Sequence, residues 1–72
     1  MTHGDIINLW PSLSDFADDM GVQYGTAKAM RRRGTIPTQY FNAVVRSASL
    51  RGFDSVTLEA LVNAVSKEGE AA

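Results

Sequence analysis

The chain has no cysteine. That excludes disulfide staples and thiolate metal sites. Its one histidine, His3, lies in an N-terminal segment expected to be mobile, so no histidine ligand set or catalytic dyad assembles around it. Glycine motifs that cradle phosphates are missing. No paired-carboxylate pocket is evident, and Asp18-Asp19 read as a solvated helix face because no third spaced acid supports ligation. No apolar run reaches the length of a membrane span, and the N-terminus lacks a basic region followed by an apolar one. These absences point away from enzymes. They imply no cofactor, no small-molecule substrate and no membrane partner, and they predict a soluble, cytoplasmic chain. A wing is not expected either, because no alternating apolar run carries a tight Asn-Gly or Asp-Gly turn.

What is present is one domain's worth of chain. At 72 residues the chain sits near the size at which a single core is only just sufficient. The net charge of −1 conceals a strong asymmetry. Residues 1–22 carry Asp5, Asp15, Asp18 and Asp19 and no Lys or Arg. Residues 23–51 carry Lys28, Arg31, Arg32, Arg33, Arg46 and Arg51 and no acid. Residues 52–72 carry Asp54, Glu59, Glu68 and Glu70 against Lys67. Local field, not total charge, governs contact with phosphates within a Debye length of about 10 Å. A helix C-terminus favours cations through its dipole, which accounts for Arg31 to Arg33 but not for a middle third free of acids.

The periodicity predicts five helices and no strand: an all-α, compact bundle. A short first helix covers about Asp5 to Trp10, with Ile6, Ile7, Leu9 and Trp10 as core candidates, and Pro11 ends it. Ser12 is an N-cap followed three residues later by Asp15, so a second helix runs from about Leu13 to Met20. A third starts near Gln23 or Tyr24 and ends by Arg33, with Gly34 as its C-terminal glycine. After the connector Thr35-Ile36-Pro37, in which Ile36 tucks into the core, Thr38 is the N-cap candidate for a fourth helix from about Gln39 to Leu50. Its apolar face is Phe41, Val44, Val45 and Ala48, and Arg51-Gly52 ends it. Leu58, Leu61, Val62 and Val65 mark a fifth helix behind Thr57. The domain is expected to span residues 1–66, with 67–72 a frayed tail.

Leu13 to Arg32 has the spacing of a helix-turn-helix. Phe16, Ala17 and Met20 form one apolar stripe, and Val22, Ala27 and Met30 a second. Ala17 must be small where a second helix crosses it. Gly21 suits a turn that needs positive φ. Val22 plugs the angle between the helices, which frees the polar side of the second helix for a DNA major groove. The simpler reading is an ordinary corner between two helices, a geometry found in unrelated domains.

With the segment RRRGTIPTQYFNAVV, this pattern resembles the lambda repressor and Cro superfamily of phage and bacterial transcription regulators, over about Leu13 to Val65. The resemblance implies a sequence-specific regulator, in the sense of a repressor, that binds double-stranded DNA. The base-reading positions it implies are Gln23, Tyr24, Gly25, Lys28, Ala29 and Arg32. Gln can pair adenine, Lys can reach guanine acceptors, and the Ala29 methyl can meet a thymine methyl. Gly25 departs from the family's pattern, in which polar residues are commoner. It leaves open a close approach to DNA or an unread base. Tyr24 has two readings, packing on the fourth helix or contact with DNA. Phosphate contacts are expected from Ser12 and Ser14 at the start of the second helix and from Thr26. Around the end of the third helix, Arg31, Arg33, Thr35, Thr38, Gln39 and Tyr40 complete the set.

Family members act as twofold dimers on near-palindromic sites, so a homodimer is expected. Phe53, Val56, Leu58, Leu61, Val62 and Val65 are the candidate interface, unless they only complete the monomer core. Two other readings stay open. One is a helical interaction module, an antirepressor or adaptor, that uses the fold without DNA. The other is an excisionase-like architectural factor that bends DNA.

Overall fold

The computed structural model describes residues 1–71, with side chains described through Ala64. Five α-helices make up the fold: α1 (His3–Ile7), α2 (Leu13–Met20), α3 (Tyr24–Arg33), α4 (Phe41–Arg51) and α5 (Leu58–Ala71). The described residues contain no strand. A single 3₁₀ turn, Thr38–Tyr40, precedes α4.

Local chemistry sets most boundaries. Ser12 caps α2, its Oγ accepting from the Asp15 N–H at 3.1 Å. Gly21 then turns the chain with φ 69°, a left-handed conformation that a Cβ would strain. Its neighbour's N–H closes the turn, Val22 donating to the Ala17 carbonyl at 3.0 Å. Gly34 and Gly52 end α3 and α4 in the same left-handed region. Thr57 caps α5 through the Ala60 N–H at 3.0 Å.

Three elements differ from the sequence expectation. The first helix begins at His3 and not Asp5, because Thr2 and Asp5 form a reciprocal capping box: Asp5 N–H donates to Thr2 Oγ at 3.1 Å and Thr2 N–H to Asp5 Oδ2 at 3.0 Å. It ends at Ile7, so Leu9 lies outside it, 40% exposed and not in the core. Thr38 is not an N-cap. The Tyr40 N–H donates to the Pro37 carbonyl at 2.9 Å, which makes Thr38 the first residue of the 3₁₀ turn and starts α4 two residues later than expected. The helical backbone of α5 continues to Ala71. Side chains beyond Ala64, and with them those of the Val65 candidate and of the tail expected at 67–72, lie outside the described residues.

The core is assembled from all five helices and the connector. Ile6, Phe16, Ala27, Ile36, Val44, Ala48 and Leu61 have at most 1% of their surface exposed. Ala17, at 3%, is buried on α2, which packs on α3 and α4. Trp10 meets Phe16 and Phe53 edge-on, with ring centroids 5.1 and 5.2 Å apart. Val22 packs against this core, half-buried.

The expectation of a mobile N-terminus is overturned by His3, which is 0% exposed. Its ring stands edge-on to Phe41, centroids 5.6 Å apart. Its Nδ1 accepts from the Ile36 N–H at 2.8 Å and its Nε2 lies 2.9 Å from the Leu61 carbonyl. An amide N–H can only donate, so Nδ1 carries no proton and Nε2–H is the donor to Leu61. Asp19 also departs from a purely solvated face. Its carboxylate accepts from the Trp10 indole at 2.7 Å and from Arg51 Nε at 2.6 Å.

Candidate nucleic-acid interface

On α3, Ala27 and Met30 are buried and hold the helix on the core. Gly25, Lys28, Ala29 and Arg32 follow i, i+3, i+4, i+7 spacing on the opposite side. Gly25, Lys28 and Arg32 are exposed and Ala29 is partly so. Gln23 and Tyr24, also exposed, stand at the helix start. Tyr24 keeps 52% of its surface free. Gly25, Lys28, Ala29 and Arg32 therefore share one outward face of α3, with Gln23 and Tyr24 exposed at its start.

Gly25 has no internal justification. A Cβ built there would meet no atom within 4 Å, and its φ is not in the left-handed region. A glycine inside a helix costs about 0.5–1 kcal/mol relative to alanine, and nothing in the fold offsets it.

Two concavities of about 220 Å³ each border this face. Thr26, Ala29 and Arg33 of α3 line one, together with Thr35, Pro37, Gln39 and Tyr40. Arg31 lines the other with Asn8, Pro11, Ser12 and Leu13. Arg31 and Arg33 are about 160° apart around the helix at 100° per residue, so each arginine serves a different flank. The sequence groups Arg31 with Thr35 and Gln39; the structure sets it beside Ser12 and the start of α2. There Ser14 is exposed as well, and the first N–H groups of the helix lack intrahelical acceptors. Thr38 is exposed on the 3₁₀ turn of the other flank.

The electrostatics reinforce the geometry. Among the described residues, Lys28, Arg31, Arg32 and Arg33 form no ion pair; the salt bridge present is Arg51–Asp19. Asp15 also supports the Arg51 charge. Of the α2 acids, Asp19 is engaged with Arg51 at the end of α4.

The dimer candidates divide. Val56 and Leu61 are buried, at 4% and 0% exposure, and belong to the monomer core. Phe53 is half-buried against Trp10. Leu58 and Val62, at 50% and 49%, remain on the surface one helical turn apart. The apolar spacing on α5 concealed this division, because two overlapping stripes share it.

No family model, no curated protein and no solved structure matches this chain. No helix among the described residues is long and apolar enough to cross a membrane.

Proposed function

We propose that this chain is a sequence-specific double-stranded DNA-binding transcription regulator of the helix-turn-helix type, acting as a repressor in the cytoplasm at the nucleoid. The observation that carries the reading is the exposed face of α3, unpaired in charge and bordered on each flank by an arginine in a concavity. A helix entering a major groove about 12 Å wide meets base edges in front and a phosphate strand on either side. Gln23, Lys28 and Arg32 supply donors for base edges. Arg31 with Ser12 and Ser14 faces one strand. Arg33 with Thr26, Thr35, Thr38, Gln39 and Tyr40 faces the other.

One such helix reads only a few base pairs, so tight specific binding calls for two copies on a near-palindromic site, with half-sites about 34 Å apart. Leu58 and Val62 are the side chains available for that pairing. Two apolar side chains make a far smaller patch than the roughly 800 Å² per partner of a standard stable interface. Pairing is therefore assigned to the DNA-bound state, with a monomer free in solution.

Sequencing of oligonucleotides selected from a random duplex pool tests the reading. The parent enriches a near-palindrome, and Gln23→Ala and Lys28→Ala each flatten one or two base pairs of it. Loss of a good base contact costs about 1–3 kcal/mol of discrimination. An unchanged pattern places the reading surface elsewhere, and no enrichment at all contradicts sequence-specific binding.

A further inference from the structure

His3 is a fully buried polar side chain that the proposed DNA contacts do not use. Its two ring nitrogens bond backbone groups 33 and 58 residues away, the Ile36 N–H and the Leu61 carbonyl. Ile36 is the anchored centre of the connector between α3 and α4, with 1% of its surface exposed. Its neighbours Thr35 and Pro37 are exposed and line the Arg33 concavity. Leu61 belongs to α5, the helix that also presents Leu58 and Val62. Phe41, against which the ring stands, is the first residue of α4. One imidazole thus joins α1 to the connector, to the start of α4 and to α5.

We infer that His3 is a positioning residue: its Nδ1 bond to Ile36 sets the register in which Thr35, Thr38, Gln39 and Tyr40 are offered to a phosphate strand. This rests on the DNA reading above. The physical argument is one of constraint. The Gly34 turn leads into the connector, and the Thr35 N–H closes on α3 through the Met30 carbonyl at 3.1 Å. Beyond it, the Ile36 N–H has His3 as its acceptor. An unmade bond there would leave a buried donor unsatisfied, which the connector would relieve by moving outward. The Leu61 bond does different work: it ties α1 to α5 and leaves the connector untouched.

Two substitutions separate these bonds, because Asn places an oxygen near the ring's Nδ1 and Gln places an amide nitrogen near its Nε2. His3→Asn keeps an acceptor for Ile36 and gives up Leu61. His3→Gln keeps the donor to Leu61 and orphans Ile36. Each loses one buried bond, so both melt below the parent. The inference predicts that DNA affinity follows the Ile36 bond and not the melting temperature. At a temperature where all three proteins are folded, His3→Asn binds a duplex like the parent. His3→Gln binds about fivefold to tenfold more weakly, the change that one hydrogen bond's free energy corresponds to. The slope of log affinity against log salt stays like the parent's in His3→Gln, because Thr35, Thr38, Gln39 and Tyr40 carry no charge and release no counterion. Affinity that falls in step with melting temperature in both variants overturns the inference.

Amide exchange in the free protein decides the same point without DNA. His3→Gln should speed exchange at Ile36 and shift the resonances of Thr35, Thr38 and Gln39, while His3→Asn leaves them in place. If the connector is unmoved in His3→Gln, His3 positions nothing, whatever the DNA result. If the connector moves but the parent binds no duplex, the DNA reading fails and the positioning role stands. Should a variant not fold, the parent supplies the measurement: adding duplex should perturb the His3 Nδ1 and Ile36 amide resonances, and their indifference to bound DNA contradicts the coupling.

Discussion

Arg51 grips the Asp19 carboxylate side-on, Nε to Oδ2 at 2.6 Å and Nη2 to Oδ1 at 3.2 Å, while the same Oδ2 accepts the Trp10 indole at 2.7 Å. One acid thereby joins α2, the last residue of α4 and an aromatic at the centre of the core. The Arg51 hydrogen bonds, and then the Trp10 donor, hold the Asp19 carboxyl below the usual carboxylate range.

Asp19 lowered in the folded state contributes stability above its unfolded value, near 3.9, and that contribution is lost as pH falls through the folded value. Asp19→Ala should cost about 1–2 kcal/mol at neutral pH, most of it from the orphaned indole N–H and little from the half-exposed ion pair. The acid side of its stability profile should be flatter than the parent's. Asp5, held low by the Thr2 N–H, leaves some acid sensitivity in the variant. Chemical denaturation between pH 2 and 7 checks both statements; parallel profiles for parent and variant contradict them.

Gly25→Ala separates stability from binding. The added methyl meets empty space, so the variant should be more stable by about 0.5–1 kcal/mol. If the glycine is there for close approach to DNA, the same variant binds a selected site more weakly. Melting curves beside binding isotherms supply the two readouts. A gain in stability with unchanged affinity makes position 25 an unread one.

The segment from Ser12 to Gly34 was legible in the sequence because each of its features answers a need within a few residues: a hydroxyl for an exposed N–H, a glycine for positive φ, a small alanine under a crossing helix. What escaped depends on distant partners. Nothing near His3 announces that residues 36 and 61 will saturate its ring, and a lone histidine close to an N-terminus reads as exposed. Asp19 reads as part of a solvated helix face until Arg51, 32 residues on, closes over it. Arg31 and Arg33 are two residues apart in sequence, and only the rotation of the helix sends them to opposite flanks. On α5 a spacing of three and four fits core and surface stripes alike, so Leu61 and Val62 could be told apart only by where α1 and α4 lie.

Val62→Glu probes the surface stripe. Val62 is half exposed, so the substitution should leave the stability within about 0.5 kcal/mol of the parent's. Sedimentation should give a monomer for both proteins free at micromolar concentration, and two copies per near-palindromic duplex for the parent alone. A variant that unfolds returns this part of α5 to the core, and a parent that binds DNA singly removes the dimer.

The most direct test of the account is the salt dependence of binding to a labelled duplex, for the parent, Arg31→Ala, Arg33→Ala and Arg46→Ala. Each neutralised phosphate adds about −0.9 to the log–log slope. The account predicts a steep slope for the parent and one shallower by about one contact for each of Arg31→Ala and Arg33→Ala, since each flank of α3 meets a strand. Arg46, exposed on α4, should leave the slope unchanged. Affinity independent of salt, or equal slopes in all four proteins, contradicts it and favours an interaction module that binds no DNA.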